Sequence, residues 1–104
     1  MQPPTQMIWK FELPIEDRVA IAMPSQSEVL SVQMQGDRPF VWALVDPKEP
    51  LVPCLFAVRG TGHPIDIPIE EDWKFIGTFQ MRGGALVFHV FRIGANEDLL
   101  SDDY

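Results

Sequence analysis

The sequence predicts one all-β domain of about seven mainly antiparallel strands, with little or no helix. Three observations carry that expectation. Ten prolines in 104 residues leave no window for a long helix. Between the prolines lie runs rich in β-branched and aromatic residues, either alternating with polar ones or wholly apolar. Short turns separate the runs, which favours a sandwich, an open barrel or a strongly bent sheet over an α/β design.

Each strand has its own pattern. "MIWKFEL" (7–13) sets Met7, Trp9, Phe11 and Leu13 on one face, with Lys10 and Glu12 on the other. "RVAIAM" (18–23) aligns Val19, Ile21 and Met23, and "EVLSVQMQ" (28–35) aligns Leu30, Val32 and Met34. All three read as half-buried strands. Gly36 and Asp37 suit a hairpin turn into the fourth strand, 39–45. There Phe40, Trp42 and Leu44 oppose Val41, Ala43 and Val45, so a central strand covered on both faces is expected. "VDPKEPLVP" reads as a long connection into a fifth strand at 54–59. Trp73, Phe75, Phe79 and Met81 share one face of the sixth strand, 72–81. Gly77 interrupts it and suggests a bulge or a close crossing. Arg82, Gly83 and Gly84 predict a tight hairpin into a central seventh strand, 85–93.

Composition bounds the function. With 46% apolar residues, including seven Phe and three Trp, the chain has enough material for one core. Its single cysteine, Cys54, excludes an intrachain disulfide and multi-cysteine zinc patterns, and a reducing cytoplasm is the natural compartment. No apolar run approaches the ~18 residues that span a bilayer, and "MQPPTQ" lacks the marks of a secretory signal. A net charge of −7 argues against binding nucleic acid or an anionic membrane. The charge is uneven. Beyond Ile93 the acidic tail holds Glu97, Asp98, Asp102 and Asp103, so residues 7–93 read as the β domain, 1–6 as a flexible start and 94–104 as a solvated tail.

No motif announces chemistry. "RGTGHPI" (59–65) lacks the lysine and the following helix of a phosphate loop, and also the third glycine of a dinucleotide fingerprint. His63 and His89 lie on different elements, and nothing in their spacing demands a metal. His89, in an apolar strand, is expected to be packed and hydrogen-bonded, and Cys54 to be a buried, inert thiol. Glu70, Glu71 and Asp72 are adjacent acids that solvate a surface rather than a catalytic pair. No catalytic, cofactor or metal residue is therefore assigned, and the chain is expected not to be an enzyme. Segment 59–65 reads as a turn, with Gly60 and Gly62 supplying the backbone freedom and His63 extended before Pro64. A small-ligand site, were there one, would draw on Arg59, His63 and Arg82.

Five segments in order, "LSVQMQ", "WALVDP", "GTGHPI", "FIGTFQ" and "GGALVFHVF", resemble an uncharacterised small-protein family common in bacteriophages and bacterial mobile elements. The likeness covers residues 7–93 and leaves the acidic tail outside. It carries no site residues. It implies a phage or prophage accessory gene expressed in the bacterial cytoplasm, and so a non-enzymatic binder of a host protein or nucleoprotein complex, including inhibitors of host defence. An acidic surface can occupy a basic groove reserved for nucleic acid. The contact residues expected on that reading are Asp66, Glu70, Glu71, Asp72, Glu97, Asp98, Asp102 and Asp103. Self-association is a further expectation, because bare strand edges pair.

Overall fold

The computed structural model describes residues 5–96. The stretches read as a flexible start, 1–6, and as a solvated tail, 94–104, therefore lie largely outside the described residues, and Gly94 and Ala95 belong not to a tail but to the last strand, Leu86–Ala95. Seven strands form, in chain order β1 (Met7–Glu12), β2 (Arg18–Pro24), β3 (Glu28–Gln35), β4 (Arg38–Val45), β5 (Leu51–Gly60), β6 (Glu71–Met81) and β7 (Leu86–Ala95). The fold is all-β, as the proline spacing and residue patterns require. Two antiparallel sheets hold the strands in the orders β1-β4-β3 and β2-β5-β7-β6, and neither closes into a barrel.

Between the sheets lies the core, built around Phe56, Leu13, Met23, Val41, Val45 and Val90. Val19, Ile21 and Met23 of β2 face it as expected, and Val41, Ala43 and Val45 line it from β4. β4 is central in its sheet, but only one of its faces is covered by the other sheet. Phe40, Trp42 and Leu44 on the reverse face are half-buried, sheltered by neighbours such as Lys10, whose ammonium sits 4.8 Å from the Phe40 ring centre.

Two bulges overturn the simple alternation. In β3 the register shifts between Val29 and Ser31, so Val29 joins Val32 in the core and Leu30 turns outward. In β6 the shift falls between Phe75 and Gly77. One inserted residue flips every side chain beyond it. Trp73 and Phe75 therefore stand on the reverse face with Phe91, whereas Phe79 enters the core beside Phe88. Gly77 also allows the approach of β3, because Val32 occupies the space a side chain would need.

The connections differ in two places from the sequence reading. β5 begins at Leu51, so Pro53 lies within a strand, opposite Ala22. Its missing N–H is tolerated because β7 pairs with β5 only from Leu55 onward. The β6–β7 link is four residues long rather than a tight hairpin, with Met81 opposite Leu86 and a single 3-10 turn at Arg82–Gly84. Arg82, Gly83 and Gly84 take positive φ in succession.

β5 and β6 flank β7 and run parallel to each other, so residues 61–70 must cross over β7. That crossover begins in the segment read as a simple turn.

Candidate functional site

The crossover is fastened at both ends by backbone bonds. At its start, the Thr61 N–H donates to Val87 O (3.1 Å) and the His63 N–H to Gly60 O (3.1 Å). At its end, the Glu71 N–H donates to Pro68 O (3.0 Å), and the Asn96 N–H and side-chain amide donate to Glu70 O and Ile69 O (both 2.9 Å). Between these ties, Pro64 and Pro68 fix two backbone angles. The middle of the segment is "IDIPI", and its isoleucines face solvent: Ile65 is 43% exposed, Ile67 47% and Ile69 73%. Asp66 and Glu70, both exposed, sit among them.

Below the crossover, the reverse face of the second sheet carries a charged and aromatic cluster. The Arg59 guanidinium lies 5.1 Å from the Trp73 ring centre and donates to Asp17 O (2.6 Å) and Val58 O (3.0 Å). Trp73 Nε1 donates to Glu71 Oε1 (2.9 Å), and Arg18 pairs with the same carboxylate from the opposite edge of the sheet. Those two partners, Arg18 first, hold the Glu71 carboxyl below the usual glutamate range. Glu71 is thus engaged within the chain, while Asp66, Glu70 and Asp72 are exposed. Glu97, Asp98, Asp102 and Asp103 lie outside the described residues.

The three residues named for a small ligand are not gathered together. Arg59 and His63 line one shallow cavity of about 280 Å³ with Asp17, Pro64 and Asp66. Arg82 lines another, of about 610 Å³, with Met34, Asp37 and Gln80. Arg59 already spends Nη1 on two carbonyls. His89 is hydrogen-bonded as expected, with Thr61 Oγ1 2.8 Å from Nε2 and Thr78 Oγ1 2.9 Å from Nδ1. Cys54 is buried as expected. It lines a cavity of about 390 Å³ that opens where β5 and β7 part, together with Arg92, Glu70 and Glu71.

The residues that sequence reasoning missed are Ile65, Ile67 and Ile69. Their signal is the alternation in "PIDIPIE", which Pro64 and Pro68 interrupt.

A family model described as a domain of unknown function matches residues 4–99, nearly the whole chain. The chain belongs to the DUF7352 family. The DUF7352 match extends past Ile93 to residue 99, so Glu97, Asp98 and Leu99 fall within the shared part rather than outside it. No curated protein and no solved structure matches this DUF7352 chain.

Proposed function

We propose that the chain is a non-catalytic protein-binding module that docks its partner on the crossover, residues 61–70. One observation carries this reading: three isoleucines project into solvent from a segment pinned at both ends. A folded surface rarely spends isoleucines this way, and clustered apolar side chains at the surface mark interaction sites. The two prolines and the backbone ties reduce the ordering cost of binding. Asp66 and Glu70 interleave charge among the isoleucines, so the matching surface is an apolar groove edged by Lys or Arg. The acidic residues expected to meet a basic partner thus gain apolar neighbours that supply affinity.

The resemblance to phage and mobile-element proteins supports a bacterial host protein or nucleoprotein complex as the partner, and inhibition of a host defence complex is the finer form of the proposal. The test is quantitative capture from bacterial lysate. The wild-type chain should retain a defined protein with an affinity that falls as salt rises, and Ile67→Asp with Ile69→Asp should release it while leaving the melting temperature unchanged. Capture that survives both substitutions would sink the assignment.

A further inference from the structure

Among the described residues β1 is an edge strand, paired with β4 alone. Leu13 N–H donates to Pro39 O (3.0 Å), which fixes the phase of that ladder. Odd-numbered residues of β1 point their backbone groups at β4, so Ile8, Lys10 and Glu12 point theirs away from the sheet. Proteins usually blunt such an edge with charge. Here both charged side chains are drawn off it. Lys10 reaches across β4 to Gln35 and lies over the Phe40 and Trp42 rings, and Glu12 accepts from Arg38 of β4 (2.8 Å). What remains at the edge is Met7, Ile8 and Trp9, all exposed, with Ile8 at 60%.

The strand is complementary to itself in one register. A two-fold axis normal to the sheet opposes residues of like parity, because each copy keeps its core face on the same side. With Trp9 on the axis, Met7 meets Phe11 of the other copy, Ile8 meets Lys10, and Trp9 meets Trp9. Shifting the axis to Lys10 keeps as many pairs but sets lysine against lysine, which is destabilising. Moving it to Ile8 or Phe11 leaves only three strand residues paired with one another. From this charge pattern and the bare edge we infer that β1 is the dimerisation strand, and that its occupant is β1 of a second copy, antiparallel, with Trp9 on the two-fold axis. The three-stranded sheet then continues across the axis as one six-stranded sheet. Backbone bonds between Ile8 and Lys10 hold the pair on each side, and Met7, Trp9 and Phe11 of both copies form one apolar stripe.

Sedimentation velocity across a wide concentration range tests this on the full chain. The wild type should sediment as a dimer at high concentration. Ile8→Pro removes an outward N–H and no bond to β4, so it should sediment as a folded monomer at every concentration. Trp9→Glu should do the same by setting two carboxylates on the axis, and it decides the matter if the proline variant does not fold. A wild-type monomer at all concentrations, or a dimer that persists in a folded variant, overturns the proposal. Register is read by oxidation. A non-hydrogen-bonded pair brings Cα atoms to about 4.5 Å, within disulfide range. Trp9→Cys should therefore cross-link to a covalent dimer and Lys10→Cys should not; the reverse result overturns the register. The crossover is a separate surface, so Ile67→Asp should leave the dimer intact, which keeps the two proposals distinguishable.

Discussion

Gly77 and Val32 meet at the seam between the two sheets, where a Cβ on Gly77 would stand 2.9 Å from Val32 Cγ1. That is closer than carbon atoms tolerate, and Val32 is a stiff, buried side chain held in the core cluster. Gly77→Ala should therefore destabilise the fold by about 1–3 kcal/mol through overpacking, despite alanine's better strand entropy. Val32→Ala in the same chain should recover part of the loss. Urea denaturation of the two single variants and the double variant measures the coupling, and additive losses would show that the seam does not depend on this contact.

Arg18 and Glu71 link the two edge strands of the four-stranded sheet. Because its folded pKa lies below the ordinary glutamate value, Glu71 stabilises the fold fully above the ordinary glutamate range. That contribution is lost as pH falls through the lowered folded value. Arg18→Ala removes the larger cause of the shift. The stability gap between wild type and variant should be full at neutral pH, narrow in acid and shrink with added salt, since Arg18 is exposed. Denaturant midpoints across the acid range read the gap, and a gap independent of pH would remove the ion pair as its source.

How much of this was written in the sequence depends on range. The strands were legible because residues two apart share a face, a local property of each segment. The bulges were only half legible. Gly77 marked one, but nothing in "EVLSVQ" distinguishes Leu30 from a core residue until β4 sets the register. Pro53 looked like part of a loop because its tolerance depends on where β7 stops pairing. Arg18 and Glu71 lie 53 positions apart, and neither segment names the other. The crossover was hidden for the same reason. Whether 61–70 is a turn or a bridge over β7 depends on strand order, which local pattern does not encode.

Trp42 presents an orphan. Its Nε1 is buried and has no hydrogen-bond partner among the described residues. An unpaired buried donor costs about 1–3 kcal/mol, and Trp42→Phe deletes that cost with the N–H. Against this stand a smaller ring and a weakened contact with the Lys10 ammonium, 5.9 Å from the Trp42 ring. The terms oppose each other, so the substitution should change stability by less than about 1 kcal/mol, whereas Phe56→Ala in the core should cost about 3–5 kcal/mol. Thermal denaturation of both variants makes the comparison. A loss at Trp42 as large as that at Phe56 would mean the indole N–H is satisfied in solution.

Cys54 sits opposite Ile21 with its thiol directed into the core. Burial pushes its pKa above the ordinary thiol value, and nearby Arg92 offsets only part of that rise. Since the thiolate is the reacting species, the folded chain at neutral pH holds little of it and shields what it holds. Arg92 also donates through Nη1 to Ser27 O (2.8 Å), which holds its guanidinium in place beside the sulfur. A disulfide-exchange reagent should therefore label the native protein slowly and the urea-unfolded protein at the rate of a free cysteine. Raising the pH should speed native labelling only above the range in which an exposed thiol ionises. Native labelling as fast as unfolded labelling would place Cys54 at an open site, and the cavity it shares with Glu70 and Glu71 would then become the place to look for reactivity.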